Sequence, residues 1–400
     1  MKTVYLDNAA TTTVSASVLT AMLPFLKNNF GNPSEPHYLG IKARQAVENC
    51  RRTVQSFFNL KDGQVVFTSG ATESINLALK GSIEASLSKF SNSNFQFSNK
   101  KPHLITTAIE HKATLETAKH LETLGFAKVT YLPVDDEGLI SFDDLEKKIT
   151  KDTVLVSLIY VNNETGTVQP VEKLGQLLEK INKTRKMPIA LHLDATQAVA
   201  YLNTDMQKLK VDLLSMSAHK INGPKGTGVL VYRKNVSLVR QMDGGSQEDN
   251  LRSGTENVAG IVGLARALTD LNNKKQIAQK VSVLRDKLIK GVLAIDGVRL
   301  TGSPKQRAPH IASFVFDGLE GESLVLMLSD KGVAAASGSA CTAGNLNPSH
   351  VLTAMGVKKE NCHGSLRLSL SSQTTEAEID RVLKVLPLLV KKLRLMAPQL

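Results

Sequence analysis

The sequence predicts an α/β fold: a large domain on a mainly parallel sheet with helices on both faces, followed by a smaller α+β domain. Three observations point there. Between residues 65 and 232, short apolar runs alternate with stretches whose apolar residues recur at helical spacing, the pattern of strands joined by crossover helices. Several of these runs lead directly into residues that can do chemistry, namely His111, Asn163, Asp194 and Lys220. After about residue 262 the alternation gives way to long amphipathic segments with few strand-like runs, and the domain change is placed there. The chain then divides into an arm (1–14) that joins the small domain, a large domain (15–262) and a small domain (263–400).

Each element follows from its residues. Tyr5-Leu-Asp-Asn-Ala-Ala-Thr-Thr-Thr13 is a short apolar start followed by small polar residues; it fits an arm lying across a site, or a frayed terminus. Gly31-Asn-Pro33 is a turn. Ile41, Val47, Cys50, Val54 and Phe57 recur at helical spacing, which puts Cys50 in a core stripe. The run 65–67 reads as a strand, Thr68-Ser-Gly-Ala-Thr-Glu-Ser74 as a glycine turn, and the following residues as a helix. Free N–H groups in such a first turn make an anion site, with the Thr72 hydroxyl beside them, although plain N-capping gives the same pattern. Residues 82–101 are rich in Ser, Asn and Lys, and the latter part reads as a surface loop.

The strand at 103–107 delivers His111. Strands at 129–132, 154–160 and 189–193 alternate with helices at 142–149 and 171–181. The strand at 154–160 leads to Asn163, the one at 189–193 to Asp194 and Gln197, and the run 211–216 to Lys220; another strand follows at 228–232. Parallel strands share one carboxyl edge, so these four side chains can converge. Asp194 is placed to salt-bridge a cationic ring nitrogen or to cap a turn. Lys220 lies between an apolar run and a glycine-rich turn. Desolvation there frees an amine to attack a carbonyl, the chemistry that anchors pyridoxal phosphate; taken alone, an exposed lysine beside a turn explains it as well.

In the second part, Val333-Ala-Ala-Ala-Ser-Gly-Ser-Ala-Cys-Thr-Ala-Gly344 is a run of small residues carrying one thiol. Small neighbours cannot bury Cys341, so the stretch reads as a mobile loop with a reactive cysteine. Leu366-Arg-Leu-Ser-Leu370 alternates like a strand, with Arg367 able to grip a carboxylate bidentately or to form a surface ion pair. Thr375-Glu-Ala-Glu378 is a capping box opening the last helix, in which Pro387 is expected to cause a kink. Arg252-Ser-Gly-Thr255 is a phosphate grip or a turn. Cys362 is given no role.

Composition narrows the function. A hydrophobic content of 42% in 400 residues supports a sizeable core. No apolar run reaches membrane-span length, and the first residues lack the look of a signal or transit peptide, so a cytoplasmic protein without membrane contact is expected. The three cysteines form no CxxC pair, which argues against a metal or disulfide framework. The net charge of +12 is spread along the chain, with aromatics at only 4%, so solvated helix faces explain it and no nucleic-acid partner is expected.

Taken together, these blocks resemble the NifS-like cysteine desulfurases, in the class V aminotransferase group of fold-type I pyridoxal-phosphate enzymes. The resemblance covers nearly the whole chain. It is carried in order by Tyr5-Leu-Asp-Asn-Ala-Ala-Thr-Thr12, Thr68-Ser-Gly-Ala-Thr-Glu-Ser74, Glu110-His-Lys112, Val161-Asn-Asn-Glu164, His192-Leu-Asp-Ala-Thr-Gln197, Ser217-Ala-His-Lys220, Gly223-Pro-Lys-Gly226, Arg252-Ser-Gly-Thr255, Ser337-Gly-Ser-Ala-Cys341 and Leu366-Arg-Leu-Ser369.

The resemblance implies a seven-stranded, mainly parallel sheet and a cysteine desulfurase that converts L-cysteine to L-alanine. Lys220 would carry pyridoxal phosphate and shuttle the substrate's α-proton. Asp194 would pair with the pyridine nitrogen and Gln197 with the phenolic oxygen. His111 would stack on the ring and act as acid and base. Ala71, Thr72, Ser217 and His219 would hold the phosphate, and Thr255 would reach it from the other subunit of a homodimer. Asn163 and Arg367 would bind the substrate carboxylate, with Asn163 also beside the cofactor. Cys341, in the context of the long-loop group, would accept the sulfur as a persulfide.

The chain departs from the family at Met242-Asp-Gly-Gly-Ser-Gln-Glu248, where Asp243 and Ser246 interrupt a glycine-rich run, and at 91–101, which looks inserted. The tail after the last helix is shorter than in members that dock an iron–sulfur scaffold, which leaves the sulfur acceptor protein open. Two alternatives remain at this point: another pyridoxal-phosphate lyase or aminotransferase on the same fold, a selenocysteine lyase being the nearest case, which persulfide on Cys341 after L-cysteine turnover would separate, and a noncatalytic anion- or nucleic-acid-binding protein, which would be colourless.

Overall fold

The computed structural model describes residues 3–90, 101–338 and 348–396. Along the chain their strands are β1 Val4–Tyr5, β2 Gly63–Thr68, β3 His103–Thr107, β4 Lys128–Leu132, β5 Thr153–Ile159, β6 Ala190–Asp194, β7 Leu213–Ser217, β8 Gly228–Arg233, β9 Val298–Leu300, β10 Ile311–Phe316, β11 Val333–Ala334 and β12 Ser365–Ser369. Seven of them form one sheet in the order β2-β8-β7-β6-β5-β3-β4. The β3–β4, β3–β5, β5–β6 and β6–β7 pairings are parallel, while β8 is antiparallel to both β2 and β7. Six strands therefore share a direction, and β8 alone runs back, as a mainly parallel sheet requires.

Period-two alternation decides which helices cover which face. Val65, Phe67, Ile105, Val156, Leu214 and Met216 pack into one core with Val47, Cys50 and Val54 of the helix Tyr38–Phe57 and with Val171 and Leu174 of the helix Val171–Asn182. Their neighbours Val66, Leu104, Leu155 and Leu213 point the other way, onto Ile75 and Leu79 of the helix Ala71–Phe90 and Leu121 of the helix Lys112–Thr123. Burial on both sides explains why these strands read as nearly continuous apolar runs.

A second, antiparallel sheet has the order β12-β10-β9. It packs under the helices Lys274–Leu293, Gly321–Asp330 and Glu376–Met396 through Phe314, Phe316, Leu366, Leu368, Leu288, Leu324 and Leu386. The N-terminal arm joins this core: β1 pairs in parallel with β11, and Val4 and Leu6 are buried there.

Several expectations meet the structure directly. The capping box is present, with Glu378 N–H donating to Thr375 Oγ1 at 3.3 Å and Thr375 N–H to Glu378 Oε2 at 2.9 Å. The last helix runs as one α-helix through Pro387. Cys50 is buried as expected, whereas Ile41 is 43% exposed. The true stripe of that helix is Gly40, Ala43, Val47, Cys50 and Val54, in which two small residues are less conspicuous than an isoleucine. Cys362, without a role in the sequence, is fully buried beside Val315 and Leu352. No helix among the described residues is long and apolar enough to cross a membrane. The inserted-looking residues 91–100 lie outside the described residues, as does Cys341.

Candidate active site

The carboxyl edge of the large sheet carries a cavity of about 580 Å³. Lys220 follows β7, Asp194 ends β6, Asn163 follows β5 and His111 follows β3, so adjacent strands of the sheet bring all four to its wall. Gln197, Ser217, His219, Ala71, Thr72 and Arg367 line it as well.

Lys220 closes a single 3₁₀ turn, Ala218–Lys220, directly after β7 and is half-buried. Its Nζ donates to Ala9 O at 2.6 Å and Ala10 O at 2.7 Å. The arm is thus held across the lysine, and Thr12 tightens it by donating to His219 O from both N and Oγ1, each at 2.9 Å. Asp194 is buried, and its Oδ1 accepts from the N–H of Thr196 at 3.0 Å and from the Thr196 hydroxyl. Oδ2 stays available to the cavity.

His111 caps the helix Lys112–Thr123 through Nδ1, which accepts from Ala113 N–H at 3.1 Å. The neutral ring therefore carries its proton on Nε2. Burial holds its pKa below the usual histidine value, with Lys220, His350 and Lys112 acting in the same direction and Asp194 opposing them. Gln197 spans the cavity wall, donating to Ala9 O at 2.8 Å and pairing with His310 Nε2 at 3.0 Å.

The opposite wall comes from the second sheet. Arg367, on β12, is 6% exposed. It donates from Nη1 to Asn163 O at 2.8 Å and from Nη2 to Asp7 Oδ1 at 2.8 Å. Its Nε is buried with no hydrogen-bond partner among the described residues.

At the other end, β2 passes through Ser69 and Gly70 into the helix Ala71–Phe90, whose first-turn N–H groups have no intrahelical acceptor. Glu73 braces this turn, accepting from Ser69 N–H at 2.7 Å and from Arg252 Nε at 3.0 Å. The start of β8 abuts it so tightly that a Cβ on Gly228 would lie 2.5 Å from Gly70 Cα. Gly226, at φ +71°, turns the chain into that contact. Burial pushes His219 down to about 4, helped by Lys220 and Lys225, so it lines this end as a neutral ring. Thr255 is exposed and does not line the cavity; it lines a smaller one of about 240 Å³ behind Gly226.

The sequence did not single out several contributors. Asp7 holds Arg367, and the carbonyls of Ala9 and Ala10 hold Lys220. Lys225 adds a cation at the phosphate-like end. Glu110 lies directly beneath the site, fully buried. Its Oε1 accepts from Thr107 Oγ1 at 2.6 Å and Ile159 N–H at 3.0 Å, and its Oε2 has no partner. Burial pushes its pKa up to about 8; those two hydrogen bonds oppose the rise and the charge of Asp194 adds to it. Within one motif, nothing separates such a carboxylate from an exposed one.

A sheet edge with a lysine, a buried aspartate and an arginine from the second sheet around one cavity is the arrangement of a cofactor-dependent enzyme acting on a carboxylate-bearing substrate. The chain belongs to the aminotransferase class-V family, whose model matches residues 4–382. It is 44% identical over 399 residues to the cysteine desulfurase IscS of Methanosarcina thermophila, covering 99% of this chain and 94% of the relative. It is also 44% identical over 404 residues to the cysteine desulfurase IscS of Clostridium botulinum, covering 99% and 96%. Among solved structures, a NifS-like protein superposes with a TM-score of 0.88 at 38% identity, covering 98% of this chain and all of that one.

Proposed function

We propose that this chain is a cysteine desulfurase that uses pyridoxal phosphate to convert L-cysteine to L-alanine and places the sulfur on Cys341 as a persulfide. One observation carries the reading: Lys220, the buried Asp194 and Arg367 line one cavity beside a helix N-terminus. The full-length similarity to cysteine desulfurases supports it.

The residues present fit the cofactor. Asp194 Oδ2 is available for a protonated pyridine nitrogen, and Gln197 for the phenolic oxygen. Ala71 and Thr72, with Ser217 and His219, suit a phosphate at the start of the helix Ala71–Phe90. Lys220 would be the covalent anchor. When bound, pyridoxal phosphate supplies an electron sink for a substrate carbanion.

The chain's own groups do the rest. Arg367 and Asn163 take the substrate carboxylate and so fix which hydrogen faces Lys220. Lys220 Nζ takes the α-proton and returns a proton to carbon. His111 would stack on the ring and serve as acid and base; any proton it gains at Nδ1 must displace the Ala113 N–H, which ties its protonation to the first turn of its helix. The Cys341 thiolate attacks the substrate sulfur. An S–S bond forms, the carbon–sulfur bond breaks with its electron pair moving to carbon, and protonation releases alanine. An acceptor protein then takes the sulfur, for iron–sulfur clusters or thio-modification.

The same proposal includes a cytoplasmic location and a homodimer in which Thr255 reaches the other subunit's phosphate site; its exposure outside its own chain's cavity supports that role. It also keeps the division into arm 1–14, large domain 15–262 and small domain 263–400, although the helix Val258–Thr269 runs across the 262 boundary and packs Leu264 and Leu268 into the large core. The test is to incubate the protein with L-cysteine, measure alanine and sulfide, and map the persulfide by mass spectrometry. Alanine formation with sulfur on Cys341 is expected; turnover without that persulfide rejects the assigned acceptor.

A further inference from the structure

We propose that His310 is a positioning residue that fixes Gln197 with its amide nitrogen toward the cavity, so that the site offers a donor, not an acceptor, to the phenolic oxygen of bound pyridoxal phosphate. This rests on the cofactor reading above.

The hydrogen bonds run in one sense. Gln197 Nε2 lies 2.8 Å from Ala9 O. A backbone carbonyl only accepts, so the amide nitrogen belongs on that side. Gln197 Oε1 then faces His310 Nε2 at 3.0 Å, and that nitrogen must carry the proton. His310 is thereby assigned the Nε2–H tautomer, and its Nδ1, buried with no hydrogen-bond partner, is a bare lone pair. The ring is held in plane by stacking on Tyr201, with centroids 4.3 Å apart and 17° between the planes. Burial pushes its pKa down to about 3, and the charges of Arg367, Arg285 and Lys220 act the same way. Nothing near neutral pH changes its donor.

The second N–H of Gln197 is left for the cavity that this residue lines. Were the amide to turn over, its oxygen would meet the Ala9 carbonyl, and His310 Nε2–H would lose its acceptor in a buried setting. His310 directly precedes β10, whose neighbour β12 carries Arg367. One imidazole therefore ties the phenolic-oxygen side of the site to the sheet that takes the substrate carboxylate.

The test is a pH titration of the visible absorbance of the cofactor-loaded protein, without substrate. His310→Phe keeps a flat ring on Tyr201 and removes the donor. A donor at the phenolic oxygen favours the deprotonated state, in which that oxygen carries its charge unshared. The titration midpoint in His310→Phe is therefore expected to rise by about one pH unit, the size of a weakened charge-assisted hydrogen bond. His310→Gln returns an N–H at the reach of Nε2 and is expected to stay within about 0.3 of a unit of the parent. An unchanged midpoint in His310→Phe, or an equal shift in both variants, overturns the proposal. A second readout needs no variant and no cofactor: nitrogen-15 shifts of His310 at neutral pH are expected to show the Nε2–H tautomer, and the Nδ1–H tautomer overturns the assignment. A parent protein that takes up no cofactor refutes the cofactor reading instead and leaves the tautomer result standing.

Discussion

Arg367 Nη2 sits 2.8 Å from Asp7 Oδ1, joining residues 360 positions apart across the cavity wall. The pair, with Nη1 on Asn163 O, uses one side of the guanidinium and leaves Nε unmet. A planar fork held in this way is what a substrate carboxylate needs. Arg367→Lys keeps the charge and loses the fork. Its KM for L-cysteine is expected to rise about 10- to 100-fold, the worth of a hydrogen bond to a charged group. Steady-state kinetics check this, and an unchanged KM removes Arg367 from substrate binding.

Lys220→Ala deletes the amine that Ala9 and Ala10 hold in place. Turnover is expected to fall by at least about 10⁴-fold, as for other covalent catalytic residues. Borohydride treatment of the parent is expected to leave a reduced cofactor adduct on the peptide containing Lys220, and none in the variant.

Cys341→Ala is expected to retain the cofactor colour and lose at least about 100-fold in alanine formation, because no thiolate remains to take the sulfur. Comparing the absorbance spectrum with alanine yield separates this from a folding defect. Full activity in this variant would place the sulfur acceptor elsewhere.

Glu110 gives the fold a pH dependence. Its pKa rises from the ordinary 4.5 to about 8 on folding, mainly through burial. Between those values the unfolded chain has released this proton and the folded chain keeps it. Glu110 therefore favours the folded state fully at acid pH and loses that contribution as pH rises toward 8. The loss amounts to roughly 3–5 kcal/mol across the window at most. Glu110→Gln is expected to flatten the fall in urea midpoint between pH 5 and 8. A slope equal to that of the parent would mean that the carboxyl is ionised in the fold.

Much of this could be read in one dimension because apolar strands buried on both faces stop abruptly where the sheet ends. The residue after the stop is then at the carboxyl edge, which made His111, Asn163, Asp194 and Lys220 legible together. What stayed hidden depends on distance along the chain or on orientation. The partner of Asp7 lies 360 residues away. His310 precedes an ordinary apolar strand, and only the fold brings it to Gln197. Glu110 differs from an exposed glutamate only in what surrounds it. Ile41 misled because a helix stripe built on Gly40 and Ala43 carries little hydrophobic signal.

The arm sets an order of events during synthesis. Residues 4 and 5 leave the ribosome well before their strand partners, residues 333 and 334, and Asn8 bonds to the Ser369 carbonyl. The arm must wait for segments made much later before it can dock. Until then Lys220 lacks its carbonyl clamp and Arg367 its aspartate, so a nascent or truncated chain could fold its large sheet and still have no finished catalytic centre.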